Sequence, residues 1–307
     1  MSRIKLNFLL VFCSAFLSLG SYTYGGEKIN VVTTTTDLAD IVKVVGGDKV
    51  KVVSLSTGSQ DIHSVDPKPS MVIQLKKADM LVKMGMDLDM WVDGLISAAR
   101  NSKVIYGAKG YIDASIGIER LEVPKGKIDA GMGDIHIYGN PHYQTDPASA
   151  NPMTKNILDG LCRISPENCK YFKQNREEYI KMLNEKVDGW TAMLLKFKGS
   201  NIVTYHNSWP YFARRFGLNV VEHIEPKPGI PPSPAHLAKL INVMKEKGVK
   251  AILVEPYFPL KGCQMVAEKT GAKILIFPPS VGGVKEANTY LELFDYDINR
   301  LVKALSE

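Results

Sequence analysis

The chain has 307 residues, of which 45% are hydrophobic and 23% are charged, and its formal net charge is +6. This length allows one large domain or two ordinary ones, and the composition is typical of a globular protein with a substantial buried core. Lys and Arg residues form no blocks and are not interleaved with aromatic residues, so we expect no nucleic-acid partner.

The first 26 residues have the features of a secretory signal peptide. Arg3 and Lys5 precede an apolar run over 6–19, and small residues follow that run. Cys13 lies inside the run after two bulky residues, so we interpret it as part of the signal core and not as a lipid-attachment site. We therefore expect a mature, periplasmic protein with 36 basic and 32 acidic residues, a net charge of +4.

Residues 27–164 are predicted to form an N-terminal α/β lobe. In chain order we expect strands at 28–35, 50–56, 80–83 and 104–106, and helices at 37–45, 70–77 and 88–99. Strands that alternate with helices favour a parallel sheet with helices on both faces. Residues 107–150 lose this regularity, and a loop this long in a compact domain is typically functional.

Residues 165–198 are predicted to form one long connecting helix. Ser165 is a good N-cap, Pro166 fits the first helical position, and apolar residues recur at steps of three and four as far as Phe197. At 1.5 Å per residue the helix would be ~50 Å long, which exceeds the width of one small domain. We expect it to join two lobes.

Residues 199–307 repeat the plan of the first lobe. We expect strands at 201–205, 218–224, 250–254 and 273–277, and helices at 209–216, 233–248, 262–271 and 289–305. The prediction is an α/β protein with two lobes, each a small parallel sheet of about four strands flanked by helices. A cleft is expected between the lobes.

Three cysteines lie outside the signal peptide. Cys162 and Cys169 are close in sequence and are predicted to form a disulfide in an oxidising compartment, which leaves Cys263 free. The competing interpretation of the pair is a thiolate metal site, but its spacing is longer than that of zinc-binding knuckles.

Polar residues with metal-binding side chains follow several predicted strands. His63, His206 and Glu255 each follow a strand, and His142 lies in the long irregular loop. The carboxyl ends of parallel strands are the edge where open α/β sheets bind ligands. Three imidazoles and a carboxylate are a common ligand set for zinc, although these residues form no H-E-x-x-H motif and their spacing alone is not diagnostic.

The segments around these residues resemble the zinc- and manganese-binding solute-binding proteins of ABC transporters over essentially the whole mature chain. The matching segments are Asp61-Ile62-His63 with Pro67-Lys68-Pro69-Ser70, Lys77 to Val82, Gly85 to Trp91, Asn140-Pro141-His142-Tyr143 with Asp146-Pro147, Tyr205 to Ala213 with Phe216-Gly217-Leu218, Val254 to Phe258, and Thr289-Tyr290-Leu291. The resemblance implies two α/β lobes joined by a long helix, with a metal ion held between them and delivered to a membrane permease.

The resemblance also implies three of the ligands. His63, His142 and His206 match the histidine ligands of the family. Where the family usually has an aspartate after the last strand, this chain has Pro278-Pro279-Ser280. We predict Glu255 as the replacement, with a water molecule as the next candidate; alternatively, Glu255 orients a ligating histidine.

Other polar residues are given supporting roles. Asp61 and Asp146 are expected to cap or to support ligands, and His136 is expected at most to assist capture of the ion. His223 and His236 are expected to be structural.

The prediction is therefore an exported, monomeric, non-enzymatic metal-capture protein. Three nitrogen donors favour Zn²⁺ over Mn²⁺. The rival is an exported zinc-dependent hydrolase that uses the same three histidines, although Glu255 would then have to be the ligand or the general base. A third possibility is an adhesin whose partner binding is independent of metal.

Overall fold

Two parallel four-stranded sheets organise the chain, which confirms the predicted fold class. The computed structural model describes residues 27–126 and 136–307. The predicted signal peptide, residues 1–26, and residues 127–135 of the irregular loop lie outside the described residues.

The first sheet has the strand order β2-β1-β3-β4, with all neighbouring strands parallel. The elements of this lobe are β1 (Ile29–Thr33), α1 (Thr36–Gly46), β2 (Val50–Ser54), α2 (Pro69–Lys76), β3 (Met80–Lys83), α3 (Val92–Ala99), β4 (Tyr111–Asp113) and α4 (Ala150–Ile164). Val31 and Leu81 in the two central strands are almost fully buried, as expected for a sheet that is covered on both faces.

The predicted fourth strand at 104–106 is wrong. Only Val104 is buried, while Ile105 and Tyr106 are exposed and the segment forms turns. The sheet is instead completed by β4, in which Ile112 is 3% exposed and pairs with Val82. The short apolar run at 104–106 suggested a strand. Its side chains do not alternate between buried and exposed positions, as those of a half-buried strand would.

Helix α4 was not predicted. Its residues Met153, Ile157 and Leu161 are spaced by four and are fully buried. This spacing places them on one face of a helix, so the sequence did contain the periodic pattern of an amphipathic helix. The irregular region ends at Ala150, where α4 begins, as expected, although it includes the strand β4 near its start.

A single long helix, α5, lies within the range 165–198, but it begins later than predicted. Helix α5 (Cys169–Leu194) has 26 residues, or ~39 Å, and is flanked by 3-10 turns at Pro166–Asn168 and Leu195–Phe197. Ser165 is not the N-cap of α5: it ends α4, and Asn168 precedes the first residue of α5.

The second sheet repeats the first, with the strand order β6-β5-β7-β8 and parallel neighbours. Its elements are β5 (Asn201–Thr204), α6 (Pro210–Phe216), β6 (Asn219–His223), α7 (Pro234–Glu246), β7 (Ala251–Val254), α8 (Lys261–Thr270), β8 (Lys273–Ile276) and α9 (Tyr290–Ser306). Successive residues of β5 face opposite sides, because Ile202 joins a core shared with the first lobe and Val203 joins a separate core under α7 and α8.

The two lobes are held together by polar contacts as well as by the shared core. At the start of α1, the Thr36 hydroxyl donates to the Val281 carbonyl (2.7 Å), and the Val281 amide donates to Asp37 Oδ1 (2.9 Å). Gly58 packs against the same loop so closely that a Cβ there would lie 1.9 Å from the Val281 oxygen. These contacts fix the loop after β8 against the loop that leads to His63.

The cysteines are arranged as predicted. Cys162 and Cys169 form a disulfide that joins the end of α4 to the start of α5, and Cys263 is a buried free thiol. No helix within 27–126 or 136–307 is both long enough and apolar enough to cross a membrane.

Candidate metal site

Three predicted ligands from distant parts of the sequence meet at one point. One nitrogen from each of His63, His142 and His206 lies within 4.8 Å of the other two. The Nε2 atoms of His63 and His142 are 3.0 Å apart, and the three ring centroids are separated by 5.0 to 5.3 Å. Two of the imidazoles come from the first lobe and one from the second, so the cluster lies where the lobes meet.

His63 is held in a single 3-10 turn, Ile62–Ser64, after β2. Asp61 caps this turn, as predicted, because its Oδ1 accepts a hydrogen bond from the His63 amide (2.9 Å). The Trp91 indole donates to the Ile62 carbonyl (3.0 Å), which attaches the turn to the residues that precede α3. The backbone around His63 is therefore fixed from two sides.

Asn140, which was not predicted to act at the site, orients His142. Asn140 Oδ1 accepts from the His142 amide and lies 3.0 Å from His142 Nδ1. This contact leaves Nε2 of His142 directed toward the cluster. The Asn140 amide group also donates to the carbonyl of Asn207 (2.9 Å), the residue after His206, and so connects the two lobes at the site.

His206 follows β5 and is oriented by Glu225, another residue that the sequence analysis missed. Glu225 Oε2 lies 2.9 Å from His206 Nδ1, and both side chains are more than 90% buried. Glu225 follows β6 at the carboxyl edge of the second sheet, the same position relative to its strand that suggested His206 and Glu255. The strand-end criterion could therefore have found it.

Burial keeps two of the imidazoles neutral. It lowers the pKa of His63 to about 3, with the charges of His206 and His136 acting in the same direction. It also lowers the pKa of His142 well below its usual value. For His206, burial again disfavours the charged form, but the hydrogen bond to Glu225 and the charge of Glu255 outweigh it and raise the pKa. Neutral imidazoles are the form that binds metal ions.

Glu255 lies close to this cluster but is not one of the three side chains that meet. Its Oε1 accepts from the Trp209 indole (3.0 Å), and its Oε2 is buried with no hydrogen-bond partner among the described residues. Burial raises the pKa of Glu255 to about 7, and the nearby His206 opposes this shift. A buried carboxylate oxygen without a hydrogen bond is costly unless a cation or a proton compensates it.

A fourth imidazole lies at the mouth of the site. The His136 ring centroid is 5.2 Å from that of His63, and both side chains line a cavity of about 560 Å³ together with Asp87 and Trp91. The cavity therefore reaches the cluster at His63.

The remaining candidates have structural contacts. The His223 imidazole contacts the Thr204 hydroxyl (2.7 Å), and His236 Nε2 lies 3.0 Å from the His223 carbonyl, so both lie outside the cluster. Asp146 caps the 3-10 turn Pro147–Ser149 by accepting from the Ala148 amide (2.9 Å), and it is also paired with Arg215.

A two-lobed α/β fold with three convergent imidazoles between the lobes defines a class of solute-binding proteins that carry a metal ion. The profile of the family ZnuA, described as "Zinc-uptake complex component A periplasmic", matches residues 31–304. The chain belongs to this family of transport proteins.

Several bacterial proteins are similar over most of the chain. It is 26% identical over 306 residues to the high-affinity zinc uptake system protein ZnuA of Bacillus subtilis (strain 168), covering 97% of this chain and 94% of that protein. It is 25% identical to a putative metal-binding protein of Treponema pallidum (strain Nichols), covering 98% and 94%. The zinc-binding protein AdcA of Streptococcus pyogenes is 26% identical over 92% of this chain, which spans only 56% of AdcA.

Solved structures share the fold. A crystal structure of ZnuA superposes with a TM-score of 0.77 at 22% identity, covering 91% of this chain and 99% of that chain. A mutant of the laminin-binding adhesin Lmb of Streptococcus agalactiae has a TM-score of 0.77 at 27% identity, covering 90% and 99%. None of these comparisons supports the alternative of a zinc-dependent hydrolase.

Proposed function

We propose that this protein captures Zn²⁺ with His63, His142 and His206 and delivers it to a membrane permease. The observation that supports this proposal best is the convergence of three buried or half-buried imidazoles, two of which have Nε2 atoms 3.0 Å apart. Three imidazoles leave one position free in the tetrahedral coordination that is usual for Zn²⁺, and Glu255 is the proposed occupant of that position.

Zinc is the preferred cargo and manganese the alternative. All three convergent donors are imidazole nitrogens, which bind Zn²⁺ more strongly than Mn²⁺, whereas carboxylate and water suit Mn²⁺. The names of the B. subtilis and S. pyogenes relatives specify zinc, while a structural neighbour from candidatus liberibacter asiaticus at 22% identity is Mn-bound. The donor set therefore favours zinc for this chain.

Glu255 is the proposed fourth ligand. Its buried Oε2 lacks a hydrogen bond among the described residues, and a divalent ion beside His206 would stabilise the ionised carboxylate. Coordination requires this side chain to move toward the three histidines, because its oxygens do not belong to the group of donors that lie within 4.8 Å of one another. In a variant without the Glu255 carboxylate, a water molecule would occupy the fourth coordination position of the ion.

Export and delivery complete the proposal. The family description places its members in the periplasm and in zinc uptake, and residues 1–26 have the pattern of a signal peptide. An ABC permease at the membrane would receive the ion from a monomeric binding protein. Pulldown of the permease with zinc-loaded mature protein, and its loss with metal-free protein, tests this step.

An adhesive function is a second candidate because of the similarity to Lmb, which is named as a laminin-binding adhesin. Binding of this protein to immobilised laminin in the presence of a chelator would support it. A protein that transports zinc but does not bind laminin would argue against an adhesive function.

Isothermal titration of the metal-free protein with Zn²⁺ and with Mn²⁺ tests the main proposal. We expect one Zn²⁺ per chain, bound more tightly than Mn²⁺. A His63→Ala/His206→Ala double variant should lose this binding, while His236→Gln, which changes an imidazole outside the cluster, should keep it. Absence of zinc binding, or full binding by the double variant, would refute the assignment.

A further inference from the structure

The ligand candidate His206 has a buried carboxylate directly behind it. Glu225 Oε2 lies 2.9 Å from His206 Nδ1, and Glu225 is 6% exposed. A carboxylate accepts hydrogen bonds and cannot donate them, so the hydrogen of the neutral His206 ring must be on Nδ1. The lone pair is then on Nε2, on the side of the ring that faces the other imidazoles.

We propose that Glu225 is the positioning residue of the site: it fixes the tautomer of His206 and supplies part of the negative charge that a bound divalent ion requires. This inference rests on the proposed metal-binding function. It assigns a role to a residue that neither touches the ion nor belongs to the predicted ligand set.

The surrounding chain holds the Glu225 carboxylate in place. The amide of Gly229 donates to the same Oε2 (3.3 Å), so the carboxylate accepts hydrogen bonds from the ligand candidate and from its own loop. The loop contains Pro226 and Pro228 between these two residues, and proline restricts the backbone φ angle. A stiff loop limits the movement of the carboxylate and thereby limits rotation of the His206 ring.

Charge balance gives Glu225 a second effect. Three neutral imidazoles leave a bound divalent ion with its full charge in a largely buried position. Glu225 and Glu255 are both buried and both act electrostatically on His206. Two carboxylates near one ligand compensate for the absence of an aspartate in the segment 278–280, which reads Pro-Pro-Ser.

The test uses two substitutions that separate geometry from charge. Glu225→Gln keeps an oxygen that can accept from Nδ1 but removes the charge, and Glu225→Ala removes both. Loss of a group that orients a metal-ligating histidine typically weakens binding by about 10–100-fold. We expect the loss of Zn²⁺ affinity to lie near the upper end of this range in Glu225→Ala and near the lower end in Glu225→Gln. Mn²⁺ binding should weaken less, since it gains less from a nitrogen donor.

The tautomer itself can be measured without any metal. Long-range ¹H–¹⁵N NMR spectra of the metal-free protein at pH 9 should show His206 protonated on Nδ1 in the wild type and in Glu225→Gln. In Glu225→Ala we expect a mixture of the two tautomers. Glu246→Gln, an exposed substitution at the end of α7, is the matched control and should change neither the spectrum nor the affinity.

The outcomes separate this inference from the proposed function. If the wild-type protein does not bind Zn²⁺, the metal-binding function itself is wrong. If the wild type binds Zn²⁺ through His206 but both Glu225 variants bind it equally well, or His206 keeps one tautomer in Glu225→Ala, the role of Glu225 is wrong. If Glu225→Ala fails to fold, the metal affinity of Glu225→Gln provides the test. Wild-type affinity of Glu225→Gln for both Zn²⁺ and Mn²⁺ would contradict the proposed role of Glu225.

Discussion

The Nε2 atoms of His63 and His142 lie 3.0 Å apart, although 79 positions separate the two residues in sequence. Tetrahedral coordination with Zn–N bonds of ~2.0–2.1 Å would place two bound nitrogens ~3.3 Å apart. Only a small separation of the two rings is needed to admit an ion between them. The pair is therefore close to the geometry of a bound state, so the His63 and His142 rings should move little on zinc binding.

The first prediction concerns the three imidazoles individually. His63→Ala, His142→Ala or His206→Ala should each lower Zn²⁺ affinity by more than the roughly 10–100-fold that is typical of removing a supporting group, because a direct ligand is lost. Competition with a fluorescent zinc chelator measures this effect. An alanine variant with wild-type affinity would remove that histidine from the ligand set.

The second prediction concerns the fourth ligand. Glu255→Gln should lower Zn²⁺ affinity by about 10–100-fold, and X-ray absorption spectra of the zinc-loaded variant should show a changed oxygen shell. Glu268→Gln on the exposed side of α8 is the control. Identical affinities and spectra for Glu255→Gln and the wild type would leave water as the fourth ligand.

The third prediction concerns the contact between the lobes next to His142. Nε and Nη2 of Arg215 donate to the two oxygens of the Asp146 carboxylate, at 2.7 and 2.8 Å, and Asp146 is almost fully buried. Arg215→Ala would leave this carboxylate buried and unpaired. We expect it to lower the free energy of unfolding by about 2–4 kcal/mol, as measured by urea denaturation.

The neighbouring arginine provides the control for this prediction. Arg214 pairs with Glu119 on the surface, where 76% of the Glu119 side chain is exposed. Arg214→Ala should therefore cost less than about 1 kcal/mol. Equal effects of the two substitutions would show that the buried pair does not stabilise the contact between the lobes.

The fourth prediction concerns pH. Burial raises the pKa of Asp37 from 3.8 to about 6, so the folded protein holds this proton more tightly than the unfolded chain does. Stability should consequently fall as pH rises from about 4 to about 6, by up to roughly 3 kcal/mol from this group. Asp37→Asn should remove this part of the pH dependence while keeping an acceptor for the Val281 amide.

Urea denaturation of the metal-free wild type and of Asp37→Asn at pH 4, 5, 6 and 7 measures how the free energy of unfolding depends on pH in each protein. As pH rises, the free energy of unfolding of Asp37→Asn should increase relative to that of the wild type. Asp188→Asn, an exposed change on α5, should follow the wild-type profile. Parallel profiles for Asp37→Asn and the wild type would contradict the role of Asp37.

The sequence predicted most strands of the sheets and three residues that meet at the site. Val31 and Leu81 lie in β-branched or apolar segments that are buried on both faces, and such segments are recognisable without a structure. His63 and His206 could be predicted because they follow strands at the carboxyl edge. The prediction failed at 104–106, where a short apolar run is mostly exposed.

The contacts of the supporting residues could not be derived from composition or periodicity, although Glu225 follows a strand end. Asn140 and Glu225 matter because their side chains reach His142 and His206, at 3.0 and 2.9 Å, and such contacts depend on the path of each loop. The position of Glu255 is a similar case. Its place after β7 was predicted, but its hydrogen bond to Trp209 was not. Strand ends therefore indicate which residues lie near a site, while the contacts within it require coordinates.

The most direct test of the account is a crystal structure of the zinc-loaded protein with anomalous data collected on both sides of the zinc absorption edge. We expect one strong anomalous peak per chain, within bonding distance of Nε2 of His63, His142 and His206. A peak bound elsewhere, or none at this cluster under saturating zinc, would contradict it.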